Sequence, residues 1–180
     1  LINSPCKNSS ARGTNIDIWG KPDIVLNNKL KSELNLVKNV NYDHAKSKTG
    51  MKELFEKYDL KNDFTNNEED KVIFLNEDSI FNSIFKHIRN AIAHSRWQVK
   101  NDIYYFEDGN FETFSGKEIF CVTARIVLSK KSLLKWRDII NEGPSAQELQ
   151  KINLENTLDA LIENILKIYK GKSFRRLLPL

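Results

Sequence analysis

The sequence predicts a mainly α protein: an up-and-down bundle of about four main helices, all-α except for a small antiparallel β-hairpin or sheet inserted after the central helix. Three observations predict it. Ile80, Ile84, Ile88 and Ile92 fall four apart, with Phe81 and Phe85 beside them, the stripe of an amphipathic helix. Further helical stripes lie toward both ends of the chain, each bracketed by start and stop residues. Between Trp97 and Leu128 the apolar period shortens to the alternation of strands.

Residues 1–20 (LINSPCKNSSARGTNIDIWG) are polar, lack periodicity and read as an arm or linker. The domain follows over residues 21–172. Asp23 caps a helix expected to run to about Val40, on Ile24, Leu30, Leu34 and Val37. Residues 41–50 are a polar connection closed by Gly50, and MKELFEKY is a short helix. KNDFTNNEED is rich in turn formers and reads as a loop. The central helix spans about residues 79–94, behind the capping side chains of Asn76 to Ser79. WQVKN, DIYYFEDGN and EIFCVTARIVL then read as strands, with turns at Lys100-Asn101-Asp102 and Asp108-Gly109-Asn110. This β insertion covers about residues 96–128. In its last strand Phe120, Val122, Ala124, Ile126 and Leu128 are expected on one face, with Thr123 and Arg125 on the other. Ser129 caps SKKSLLKWRDIIN, which stops at Gly143-Pro144 and places Trp136 in the core. Ser145 and Glu148 form a capping box. The last helix runs to about Lys170, striped by Leu154, Leu158, Leu161, Ile162, Ile165 and Tyr169, and Gly171 ends it. Residues 173–180 are a basic, apolar tail.

The 180 residues are 40% hydrophobic and 29% charged, enough apolar material for a core. A net charge of +4 permits an anionic partner such as RNA without demanding one. Cys6 and Cys121 make no disulfide framework, and Cys121 in IFCVTARIVL reads as a small core residue. No Cys/His spacing fits zinc, so neither metal nor cofactor is expected. No signal peptide and no membrane-spanning stretch is evident, which makes the cytoplasm the expected compartment. The chain opens on Leu1 rather than Met, as a truncated or processed start would.

The chemistry concentrates in FKHIRNAIAHSRW, Phe85 to Trp97, where an apolar helix carries four polar residues. On a helix, Asn90 and His94 lie about 40° apart, and Arg89 and His94 about 140° apart. Arginine grips phosphate through a planar fork and stays charged. Histidine exchanges protons near neutral pH, and asparagine can orient either group. These parts suffice for metal-free RNA cleavage, in which the ribose 2′-hydroxyl attacks the adjacent phosphate. Spacing alone leaves plainer roles open: a helix-end histidine can cap or pack, and an arginine can form a salt bridge. His87 can line a cleft or pack; Arg96 can touch a phosphate or solvate the surface. Trp97, Tyr104, Tyr105 and Phe106 can stack on bases or on each other. Arg175 and Arg176 can touch RNA or sit in solvent.

Arg89-Asn90-Ala91-Ile92-Ala93-His94 resembles the R-x4-H motif of the HEPN superfamily, the "higher eukaryotes and prokaryotes nucleotide-binding" helical domains. Its arginine-asparagine start fits the usual form. HIRNAIAHSRW followed by a hairpin resembles the small bacterial plasmid- and defence-associated HEPN proteins, over about Ser79 to Asn141. The resemblance implies a HEPN-like bundle and a metal-independent endoribonuclease that leaves 2′,3′-cyclic phosphate ends, in a toxin or anti-phage (abortive infection) role. It implies a homodimer whose two motifs share one cleft, and an antitoxin or regulatory partner. Arg89 and His94 would be catalytic and Asn90 supporting. Arg96 and His87 lie outside the motif and are possible RNA contacts on their own chemistry. A non-catalytic RNA-, nucleotide- or protein-binding module of the same type is the alternative.

Overall fold

A five-stranded mixed sheet, not a helical bundle, forms the centre of the protein. The structure is a computed structural model that describes residues 25–77, 80–150, 153–154, 158 and 160–163. In chain order its elements are α1 (Val25–Glu33), β1 (Tyr42–Ala45), α2 (Lys48–Lys57), β2 (Lys71–Leu75), α3 (Ile80–Ala93), β3 (Trp97–Lys100), β4 (Ile103–Phe114), β5 (Lys117–Ser129) and α4 (Lys130–Glu142). The sheet order is β1-β2-β5-β4-β3. β1 and β2 are parallel with α2 between them in sequence, and the remaining neighbours are antiparallel. The mainly α, all-α expectation is therefore overturned. The predicted insertion is the greater part of a central α/β sheet.

The two missed strands explain the error. β2, KVIFL, is buried on both faces, with Val72, Ile73 and Phe74 each at 0% exposure. Such a strand shows no alternation to betray it. Val72 and Phe74 join a core with α1, α3 and α4, whereas Ile73 and Leu75 join a second core with α2. β1, YDHA, looks like a polar connection because it carries Asp43 and His44. Asp43 is nonetheless buried, accepting bonds from the Tyr58 hydroxyl at 2.9 Å and from Lys57 at 3.2 Å.

Helix ends follow the residues that tolerate a left-handed backbone. α1 stops at Glu33 rather than near Val40, because Asn35 (φ 52°) closes a two-bond cap: Leu36 N donates to Lys31 O and Asn35 N to Ser32 O. Val37 and Val40 are left exposed. The same cap closes α2 at Asp59 and α3 at Ser95 (φ 55°). α4 begins and ends as expected, with Ser129 capping the Ser132 N–H and Gly143 at φ 75°. The Ser145–Glu148 capping box forms at 2.7 and 3.3 Å. Leu154, Leu158, Leu161 and Ile162 beyond it are about half exposed. The expected arm 1–20, the end of the last helix with Ile165, Tyr169 and Gly171, and the tail 173–180 lie outside the described residues.

The hairpin turns are Asn101-Asp102 and Ser115-Gly116, both pairs at positive φ as tight two-residue turns require. The first was expected. The second was expected at Asp108-Gly109-Asn110, which instead lies inside β4. There Asp108 pairs with Ala124 but Gly109 with Val122, so β5 carries one extra residue, Thr123. This bulge reverses the facing of the strand. Ala124, Ile126 and Leu128 pack under α3 and α4, while Val122 packs on the α2 side. The expected single face from Phe120 to Leu128 is thereby corrected. Gly109 is where β5 comes closest: a Cβ there would lie 2.4 Å from Cys121 O, 2.7 Å from the Phe120 ring and 2.9 Å from Val122 Cα.

Candidate functional site

α3 is the predicted amphipathic helix, with ends within a residue of expectation. Phe81, Ile84, Phe85, Ile88 and Ala91 are buried against the sheet. Lys86, Arg89, Ile92, Ala93 and His94 are exposed, and Asn90, between Lys86 and His94 on this arc of the helix, is half-buried. Arg89 and His94 thus both face solvent at the C-terminal end of the helix. The Arg89 guanidinium turns along the arc, Nη2 donating to Asn90 Oδ1 at 2.9 Å. On the helix Asn90 lies between the two, about 100° from Arg89 and about 40° from His94. The His94 ring has no hydrogen-bond partner among the described residues; its backbone N–H continues the helix to Asn90 O at 2.9 Å.

Beneath the arc lies a polar cluster that the sequence reading missed. His87 is 2% exposed and Asp108 5%. His87 Nδ1 is 2.8 Å from Asp108 Oδ2, and Nε2 is 2.8 Å from the Leu75 carbonyl oxygen. Asn90 Nδ2 donates to the same Asp108 Oδ2 at 3.2 Å. Asp108 reaches α3 because it is the last β4 residue before the bulge and shares the face of its partner Ala124. No local signal marked Asp108: Asp108-Gly109-Asn110 reads as a turn, and only the pairing with β5 places Asp108 under α3. His87, expected as a possible RNA contact, is sealed from solvent with both ring nitrogens engaged, so no edge of it faces a ligand. Asn90 is joined to Arg89 above and Asp108 below.

Arg96 follows the Ser95 cap. Its Nη1 donates to Gly109 O at 2.9 Å, and its guanidinium sits 4.2 Å from the Phe120 ring centre and 5.9 Å from that of Phe111. It clamps the hairpin to the end of α3 at the bulge. Tyr105 and Phe106 are buried and Tyr104 half-buried, so these aromatics pack the sheet; Trp97 is 45% exposed and Trp136 is in the core, as expected. Trp97, Ile92 and Leu134 rim an open apolar groove of about 580 Å³ between α3, β3 and α4. Among the described residues, no group of three or more His, Cys, Asp or Glu is placed to hold a metal ion, and no helix is long and apolar enough to cross a membrane.

Compared with models of known families, with curated proteins and with solved structures, the chain matches nothing.

Proposed function

We propose that the protein is a metal-independent endoribonuclease. One observation carries the reading: Arg89 and His94 are both exposed on one helix end, with Asn90 between them accepting a hydrogen bond from the guanidinium. The fold lends the reading nothing, since the bundle implied by the HEPN resemblance is not the architecture found; the side chains support it. Arg89 binds a phosphate of RNA and stabilises the charge that builds on its oxygens. His94, open to solvent, takes the proton from the ribose 2′-hydroxyl as that oxygen attacks phosphorus, or returns one to the leaving 5′-oxygen. The 5′-oxygen bond breaks and a 2′,3′-cyclic phosphate remains. DNA lacks the attacking hydroxyl and is spared. Two copies pair so that their helix ends share a cleft, and the activity serves as a cytoplasmic toxin or phage-defence device under a regulatory partner. In a chelating buffer the purified protein cuts RNA to cyclic-phosphate ends, and His94→Ala abolishes cutting with oligomeric state unchanged. Cutting that requires an added divalent metal contradicts the mechanism.

The apolar groove rimmed by Ile92, Trp97 and Leu134 favours a second reading, a module that binds RNA, nucleotide or protein without cleaving. Stable retardation of RNA that stays intact through long incubation supports it.

A further inference from the structure

We infer that Asp108 and His87 are positioning residues for Arg89, acting through Asn90 and a proton held in the core. The inference gives this pair a function in the site proposed above and rests on that reading. Hydrogen-bond chemistry fixes each link. A carbonyl oxygen only accepts, so His87 Nε2 must donate to Leu75 O. The neutral ring then has a bare lone pair on Nδ1, which would face a carboxylate lone pair at 2.8 Å. A proton between Nδ1 and Oδ2 turns that repulsion into a strong bond. Imidazole is the stronger base of the two groups, so the proton belongs on the imidazole side and Oδ2 accepts from both His87 and Asn90. A carboxylate that only accepts forces the Asn90 amide to turn its NH2 inward. Its oxygen must then face outward, where the guanidinium, a pure donor, takes it.

The chain Leu75–His87–Asp108–Asn90–Arg89 thus runs from the buried strand β2 to the helix surface. It is anchored where cost is highest: a buried carboxylate or imidazole without partners is strongly unfavourable. The orientation of Arg89 is in this way set by groups that never touch RNA.

The test uses the full chain with nitrogen-15 label and two variants, Asn90→Ala and Asp108→Asn. Asn90→Ala changes a half-buried surface residue and leaves the buried pair intact. Wild type should show N–H protons on both His87 ring nitrogens. In folded Asn90→Ala those persist while the Arg89 Nη signals move; in Asp108→Asn both sets move. Both variants should lower kcat by roughly 10²-fold, as expected for a misplaced catalytic group, with KM changed far less. A single protonated ring nitrogen on His87, or Arg89 signals unmoved in a folded variant, overturns the inference. If wild type cuts no RNA, the ribonuclease reading fails by itself, and the His87 and Arg89 signals still decide the positioning chain.

Discussion

Gly109→Ala tests the step that links fold to site. The added Cβ would meet Cys121 O at 2.4 Å, the Phe120 ring at 2.7 Å and Val122 Cα at 2.9 Å. Two of these atoms are backbone on the neighbouring strand, and the Phe120 ring is held under Arg96. No flexible chain end can yield, so β5 must move away by several tenths of an ångström or more. Overpacking of this kind costs about 1–3 kcal/mol. For a protein of this size each kcal/mol lowers Tm by roughly 2–4 °C, so a fall of about 2–12 °C is expected. The same movement disturbs Asp108, the adjacent residue, and Gly109 O, the acceptor of Arg96. Thermal unfolding followed by circular dichroism reads the stability. The control is Gly116→Asn, in a turn where no atom lies within 4 Å of a Cβ and asparagine tolerates the backbone; it should stay within about 0.5 kcal/mol. Equal melting of Gly109→Ala and wild type would refute the close packing at the bulge.

Two further outcomes follow from side chains outside the proposed chemistry. Arg96→Ala should destabilise by about 1–2 kcal/mol, through loss of the Gly109 bond and the stacking on Phe120; an unchanged urea midpoint would return Arg96 to a purely surface role. Burial holds the His44 pKa below its ordinary value of 6.5, against the pull of Asp43, with Lys38, Lys31 and Lys46 adding to the depression. The unfolded chain therefore takes up a proton before the folded one does, and stability falls as pH drops below that value. His44→Gln should flatten this part of the Tm-versus-pH curve; an identical slope would contradict the assignment.

Much of the local structure was legible in the residues. α3 announced itself by period, α4 by period and by its Ser129 and Gly143 ends, and the edge and hairpin strands β3, β4 and β5 by alternation. The class was lost on two short segments. KVIFL has no polar side because both of its faces are covered, and YDHA hides its strand behind an aspartate whose burial depends on distant partners, Tyr58 and Lys57, besides the His44 backbone N–H. Without β1 and β2, three strands look like an insertion among helices. The bulge was equally out of reach, since Asp-Gly-Asn is sound turn chemistry and only the pairing with β5 shows it inside a strand. At the site, Arg89, Asn90 and His94 could be found from one helix. Asp108 could not: it lies 18 residues from Asn90, and register alone brings them together.

The central claim, that Arg89 and His94 promote attack by the ribose 2′-hydroxyl, is tested most directly with an RNA oligonucleotide and its twin carrying a 2′-deoxyribose at the cut position. Incubated with the protein in chelator, the first should yield a 2′,3′-cyclic phosphate end and the twin should survive at that position. Cleavage of both at equal rates would contradict it.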